Sequence, residues 1–129
     1  MVATLGAEPL AVTIGCLQGR RPDLLVMLTF RDSIGIDAAG LNSGGFRLHT
    51  AYDGGSSRWY RVSAVGKAAL LEGRQFGAPR FVAALRGTRQ LHLRIRRKRG
   101  PDQEVVYRYP DPTEVVNLAA ARCGVDLDD

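Results

Sequence analysis

The sequence has few of the residue types that usually mark a catalytic or metal site. Its 129 residues include two histidines and two cysteines. His49 and His92 stand on separate predicted strands, and their spacing relative to Asp53 or Glu72 matches no zinc-ligand signature. The glycine-rich segment 42–45 lacks the lysine and the following helix of a phosphate-binding loop. We therefore expect no enzymatic activity, no bound metal and no cofactor.

Long hydrophobic runs are also missing. No stretch approaches the roughly 20 apolar residues that a membrane-spanning helix requires, so we expect no membrane span. The N-terminus lacks the basic region and the apolar core of a signal peptide. Two alternatives follow: the protein is cytosolic, or a signal peptide that preceded Met1 has been removed. The placement of the two cysteines favours removal.

Size and charge set broad limits on fold and partners. With 45% hydrophobic and 24% charged residues, the chain has the balance of one globular domain over residues 1–129. Residues 124–129 form an acidic tail that we predict to be disordered. The net charge of +5 and the pI of about 9.8 favour anionic partners such as nucleic acid, lipid headgroups or acidic polysaccharide.

Most of the chain is predicted to form short strands. Between turns rich in glycine, proline and aspartate, apolar residues either alternate with polar ones or form short continuous runs. The segment 24–30 is continuously apolar and is predicted to be buried on both faces. Segment 67–72 fits either a strand or a helical turn. The other predicted strands are 10–17, 34–37, 46–52, 58–63, 91–96 and 104–109.

Two helices complete the predicted fold. Pro79 and Gly87 bound a short helix over residues 79–86. A second helix starts with Asp111 as its N-cap and runs to about Cys123, with Val116, Ala119, Ala120 and Cys123 on one stripe and Gly124 as C-terminal cap. Because strand connections look local, we predict a mainly β fold. It is an antiparallel β-sandwich or half-barrel of six to eight strands, with a short helix and a C-terminal helix.

The two cysteines stand at nearly opposite ends of the chain. Cys16 belongs to the first long predicted strand, and Cys123 ends the apolar stripe of the last helix. A disulfide between them would close a loop of roughly a hundred residues, which the chain-entropy model values at about 4 to 5 kcal/mol. Such a bond would indicate an oxidising compartment. The alternative is a cytosolic protein in which both thiols are free and buried.

Several short segments resemble bacterial periplasmic β-sandwich domains. These are the TagO/VasI-type accessory proteins of type VI secretion and, more distantly, the invasion-associated locus B family. The segments that carry the resemblance are Ile14-Gly15-Cys16-Leu17, Tyr52-Asp53-Gly54-Gly55, Trp59, Phe81-Val82-Ala83-Ala84-Leu85 before Leu91-His92-Leu93-Arg94-Ile95, and Ala121-Arg122-Cys123-Gly124. The resemblance implies a non-enzymatic domain, a Cys16–Cys123 disulfide and a location in the cell envelope.

The densest positive charge lies on the predicted hairpin over residues 91–109. Alternation places His92, Arg94, Arg96 and Lys98 on one face, and Arg108 on the returning strand can join them; we call these five residues the basic ribbon. Such a ribbon would bind an anionic partner or the phosphates of a nucleic acid. The ordinary explanation is a solvated face whose charge prevents aggregation. Few aromatic residues are interleaved, which argues against a base-stacking platform.

Aromatic residues suggest a second candidate site. Tyr52, Trp59 and Tyr60, together with Phe46, form a possible aromatic recess for a ligand, although such residues more often fill the core of a hairpin. Our first functional hypothesis is an envelope or secreted accessory domain that recognises a protein or a cell-wall component. The alternative is a cytoplasmic protein that binds nucleic acid or a nucleoprotein through the segment from Arg94 to Arg99. The sequence does not determine the oligomeric state.

Overall fold

The structure of the chain, a computed structural model, describes residues 3–5, 10–30, 46–53, 55, 58–65, 68–95 and 103–128. Over these residues the chain forms eight strands, two α-helices and a short 3-10 helix. The strands are β1 (Ala3–Leu5), β2 (Leu10–Leu17), β3 (Asp23–Phe30), β4 (Phe46–Tyr52), β5 (Arg58–Val65), β6 (Ala68–Glu72), β7 (Gln90–Ile95) and β8 (Gln103–Arg108). The helices are the 3-10 helix Arg74–Phe76, α1 (Ala78–Leu85) and α2 (Thr113–Arg122). The predicted strand at 34–37 lies outside the described residues.

The strands form one antiparallel sheet in the order β1-β2-β3-β6-β5-β4-β7-β8. The two outer strands of this order, β1 and β8, do not pair with each other, so the described sheet is not closed into a barrel. This architecture confirms the predicted mainly β, antiparallel fold with a short helix and a C-terminal helix. The ambiguous segment 67–72 contributes the strand β6.

Alternation of side chains gives the sheet an inner, apolar face. In β7, Leu91, Leu93 and Ile95 are buried, as their period-two spacing predicts. In β3 the burial also alternates: Leu24, Val26, Leu28 and Phe30 are buried, whereas the residues between them are half-buried. The prediction that this strand is buried on both faces is therefore wrong. Its second face, where Met27 lies between Thr13 and Leu70, is covered less completely than the first.

The two helices cover the inner face. α1 buries Ala78, Phe81, Val82 and Leu85, and α2 buries the predicted stripe of Val116, Ala119 and Ala120. α2 begins one residue later than predicted, because Pro112 occupies the N-cap position and Asp111 stands just before it. Asp111 still accepts a hydrogen bond from the Thr113 amide at 3.0 Å, so it caps the first turn from outside. No helix in the described ranges is long and apolar enough to cross a membrane.

The predicted disulfide is present and joins the two ends of the fold. Cys16 lies near the end of β2 and Cys123 caps the C-terminus of α2, and the two are 107 positions apart. A bond that closes a loop of this length stabilises the folded state by about 4 to 5 kcal/mol in the chain-entropy model. It fixes the end of α2 against the edge of the inner face.

The segment after α2 differs from the prediction of a disordered tail over residues 124–129. The amide of Val125 donates to the Ala120 carbonyl at 2.9 Å, and that of Gly124 donates to Ala121 at 3.1 Å. With Gly124 at φ +70°, these bonds form a Schellman motif, which turns the chain and buries Val125. Further along, Asp128 pairs with Arg86 at 2.7 Å. The segment is therefore packed through residue 128.

Candidate functional site

A fork in the sheet creates a large cleft in the described part of the chain. β5 pairs with β4 from Arg58 to Val62, but it pairs with β6 only from Ser63 to Val65. Beyond this point β6 stays with β3 and then ends at Glu72. The first half of β5 and the chain that follows β6 therefore diverge, and a cleft opens between them.

Gly73 makes the divergence possible at the end of β6. Its backbone has φ +80° and ψ −175°, a region that only glycine adopts readily. A Cβ atom here would lie 2.8 Å from Oδ2 of Asp23, so there is no space for a side chain. The Gly73 amide donates to the Leu24 carbonyl, and Asp23 accepts the Arg74 amide, both at 2.8 Å. The start of β3 thereby fixes the 3-10 helix that forms one wall of the cleft.

The cleft has a volume of about 910 Å³ and is strongly basic. Among the described residues, four arginines line it, two from β5 and two from the segment after β6, together with one carboxylate, that of Asp126. We call this feature the arginine cleft. Its lining residues are Arg58, Trp59, Tyr60, Arg61, Arg74, Gln75, Phe76, Gly77, Pro79, Arg80, Ala83, Asp126 and Leu127. A concave surface with an excess of one charge concentrates the opposite charge, so the cleft attracts anions.

A buried aromatic ring supports one guanidinium group of the cleft. The guanidinium carbon of Arg80 lies 5.1 Å from the ring centroid of Tyr60, which is almost fully buried. The hydroxyl groups of Tyr60 and Tyr52 are 3.2 Å apart. Burial of Tyr52 and, to a lesser extent, the neighbouring Tyr60 raise the pKa of Tyr52 far above its usual value of 10.0. Tyr52 therefore stays neutral at physiological pH, and the described residues that line the cleft include no histidine, cysteine, serine or lysine. The described lining therefore offers guanidinium groups and a phenol ring to an anionic ligand.

The structure places part of the basic ribbon on one face. His92 and Arg94 lie on the outer face of β7, and Arg108 lies beside them on β8, where its Nε donates to Oε1 of Gln90 at 3.2 Å. Arg96 and Lys98 lie outside the described residues. Two non-basic residues of β8 interrupt the ribbon, because Glu104 pairs with Arg94 and Val106 pairs with His92.

Cross-strand pairing adds an aromatic residue to this outer face, which the sequence did not indicate. The pairs Trp59–His49, His49–Arg94 and Arg94–Glu104 form one row across four strands. Trp59 is 52% exposed, and the guanidinium carbon of Arg47 lies 4.6 Å from its ring centroid. The row includes residues from 49 to 104, so strand register was needed to find it.

The aromatic recess suggested by the sequence does not form. Tyr52 and Tyr60 point to the inner face, where their ring centroids lie 6.3 and 5.6 Å from that of Phe81. Trp59 points to the outer face, because consecutive residues of a strand alternate sides. The side chain of Phe46 lies outside those that the structure describes. Tyr52 and Tyr60 thus belong to the core, while Trp59 contributes to the outer face and to the rim of the arginine cleft.

Asp53 and the two histidines do not assemble into a metal site. Oδ1 of Asp53 accepts the amides of Arg89 and Gln90 at 2.8 and 2.9 Å, so this carboxylate connects the end of β4 to the start of β7. Nε2 of His92 is buried and has no hydrogen-bond partner among the residues that the structure describes. Among the described side chains, no three histidines, cysteines, aspartates or glutamates come close enough to hold a metal ion.

Comparison with known proteins adds no identification. The chain matches no known protein family, no curated protein and no solved structure. The geometry of the arginine cleft and of the outer face therefore carries the functional assignment.

Proposed function

We propose that this chain is a non-enzymatic binding domain of the cell envelope or the extracellular space. Its arginine cleft holds an acidic segment of a protein or a cell-wall polymer. The observation that carries the proposal is the cleft lining, in which four arginines and one carboxylate of the described residues face about 910 Å³ of open space. Guanidinium groups bind carboxylates and phosphates through strong, charge-assisted hydrogen bonds.

The disulfide supports a location outside the reducing cytoplasm. Cys16 and Cys123 are bonded, and such bonds persist mainly in secreted, periplasmic and extracellular proteins. The resemblance of the strand and turn pattern to periplasmic β-sandwich domains points the same way. An accessory role in type VI secretion stays a prediction, which rests on that resemblance.

Two charge-matched double variants test where acidic ligands bind. Arg74 and Arg80 are exposed lining residues of the cleft, so R74Q/R80Q removes two charges with little effect on folding. R94Q/R108Q removes two exposed charges from the outer face. Poly-L-glutamate is titrated into both variants and the unchanged protein by calorimetry. We expect R74Q/R80Q to weaken binding about tenfold or more, as loss of charged hydrogen bonds does, and R94Q/R108Q to change it much less.

Two results of titrations of this kind, with poly-L-glutamate and with other polyanions, would refute the proposal. Equal weakening in both variants would mean that poly-L-glutamate responds only to net charge. Absence of binding of poly-L-glutamate, heparin and polyglycerol phosphate to the unchanged protein would also exclude the cleft as an acidic-ligand site.

Nucleic-acid binding is a second candidate function, and the outer face supports it. Trp59, His49 and Arg94 lie in one row, and Arg47 covers part of the Trp59 ring. An exposed aromatic ring among basic groups is typical of proteins that stack nucleic-acid bases. Because Trp59 is the single tryptophan, its fluorescence reports this contact directly. Strong quenching by an oligothymidylate, lost in R94Q/R108Q and kept in R74Q/R80Q, would favour this alternative.

A further inference from the structure

β5 presents an edge without a strand partner to the arginine cleft. On one side, Arg58 to Val62 pair with β4, and on the other side β6 begins to pair only at Ser63. Within the described part of the chain, no strand lies on this second side of Arg58, Trp59 and Tyr60. No backbone hydrogen bond joins these three residues to the described 3-10 helix or α1 either.

The lining pattern shows that the cleft runs along this edge rather than over a face of the sheet. Successive residues of a strand point to opposite faces, so a cavity above one face touches every second residue. Here Arg58, Trp59, Tyr60 and Arg61 all line the cleft, although they follow one another directly. Tyr60 is 1% exposed and Trp59 is 52% exposed, as expected for opposite faces. A cavity that touches both faces of a strand must lie at its edge.

We infer that the ligand of the cleft is an acidic peptide segment that binds in an extended conformation and adds to the sheet beside β5. This inference rests on the proposed function and names the class of ligand. An unpaired strand edge offers backbone amides and carbonyls to a new strand, and strand addition is an established mode of peptide recognition. A neighbouring strand lies about 4.8 Å away and rises about 3.3 Å per residue, so the edge from Arg58 to Tyr60 accommodates about three ligand residues.

Charge selects an acidic segment for this edge. Arg58 and Arg61 lie on opposite faces of β5, because they are an odd number of positions apart. Both faces of an added strand therefore meet a guanidinium group, while Arg74 and Arg80 face it across the cleft. Carboxylate side chains would be neutralised on either face.

N-methylated peptides separate backbone recognition from charge attraction. The probe is a capped octapeptide of four Glu-Val repeats. It is compared with one peptide methylated at every glutamate nitrogen and another methylated at every valine nitrogen. In an extended strand, alternate residues direct their amides to opposite edges, so one methylation pattern blocks the edge that contacts β5. We expect one pattern to weaken binding about tenfold or more through lost backbone hydrogen bonds, and the other to change it little.

The location of binding is checked in the same series. β8 is also an outer strand of the described sheet, and the R74Q/R80Q variant leaves it unchanged. The unmodified octapeptide must therefore bind R74Q/R80Q about tenfold more weakly than the unchanged protein if it occupies the cleft. R94Q/R108Q, which removes the same charge elsewhere, must retain most of the affinity.

Two outcomes would overturn the inference while the proposed function stands. The first is an equal effect of the two methylation patterns on binding to the cleft, which would show that carboxylates alone are recognised. The second is binding of polyglycerol phosphate that depends on Arg74 and Arg80, with no binding of any peptide. If none of these acidic probes binds, the proposed function itself fails.

Discussion

Asp53 holds two backbone amides and connects two strands that are far apart in the sequence. Its Oδ1 accepts the amides of Arg89 and Gln90, and its own backbone adopts a positive φ of 50°. Asparagine and aspartate tolerate this left-handed conformation better than other side chains do. The residue is therefore structural.

Substitution of Asp53 tests that structural role. We expect Asp53→Ala to lower the free energy of unfolding by about 1 to 3 kcal/mol, because two amides lose their acceptor. Asp53→Asn keeps an acceptor oxygen and the tolerance for positive φ, so it retains most of the stability. Urea denaturation monitored by circular dichroism measures both variants. If the asparagine variant is as unstable as the alanine variant, the hydrogen bonds to the two amides do not explain the contribution of Asp53 to stability.

Buried tyrosines predict a loss of stability in alkali. Burial raises the pKa of Tyr52, Tyr107 and Tyr109 above the usual value of 10.0. The unfolded chain therefore releases these protons first as the pH rises, which favours unfolding. We expect the free energy of unfolding to be unaffected by these tyrosines below about pH 9 and to fall above about pH 10. Urea denaturation across this pH range measures the effect. In Tyr52→Phe, the free energy of unfolding should fall less steeply with pH than in the unchanged protein. Constant stability up to about pH 11 would contradict it.

At the scale of elements, Gly73 determines how β6 ends and where the cleft opens. A side chain at this position would meet Asp23 at 2.8 Å and Leu17 at 3.1 Å, in a backbone conformation that favours glycine. Backbone strain alone at such a position costs about 1 to 3 kcal/mol. We expect Gly73→Ala to lower the free energy of unfolding by more than this, because steric overlap adds to the strain. Gly87→Ala is the control, because Gly87 also has positive φ but a Cβ atom there would meet no other atom within 4 Å. Both variants are compared by thermal unfolding. An equal loss of stability in Gly73→Ala and Gly87→Ala would refute the role of Gly73 at the end of β6.

Alternating strands and the helix ends could be predicted from the sequence because their signals are local. Leu91, Leu93 and Ile95 point inward as their spacing predicts, and Gly124 follows α2 as expected. The burial of β3 was mispredicted, because a continuous apolar run does not show which of its faces another element covers. The position of Val125 was also missed, since the Schellman motif that buries it forms between backbone groups.

The arginine cleft could not be predicted because its parts come together only through strand pairing. Arg58 and Arg61 belong to β5, whereas Arg74 and Arg80 follow the end of β6. No local pattern shows that β5 pairs with β6 only over its last residues and leaves the rest of that edge without a strand. The basic ribbon was visible in the sequence because its charges are dense within one hairpin. The segment with the densest positive charge in the sequence is therefore not the segment that forms the arginine cleft.

At the scale of the whole molecule, one covalent bond links the first long strand to the last helix. Cys16 and Cys123 close a loop spanning 107 positions. We expect C16S/C123S to lower the free energy of unfolding by about 4 to 5 kcal/mol, because the unfolded chain regains the entropy of the open loop. This is a large part of the roughly 5 to 15 kcal/mol that stabilises most domains. Urea denaturation of the oxidised protein and of the variant measures the difference, and equal stabilities would exclude a structural role for the bond.

The distribution of charge gives the whole molecule two basic surfaces, and one measurement separates them. Amide chemical shifts of isotopically labelled protein are recorded by NMR during titration with poly-L-glutamate. We predict that the largest shifts occur at Arg58–Arg61 and Arg74–Arg80, which line the arginine cleft. Shifts confined to β7 and β8, or no shifts at all, would contradict the central claim that the cleft between β5 and α1 binds acidic ligands.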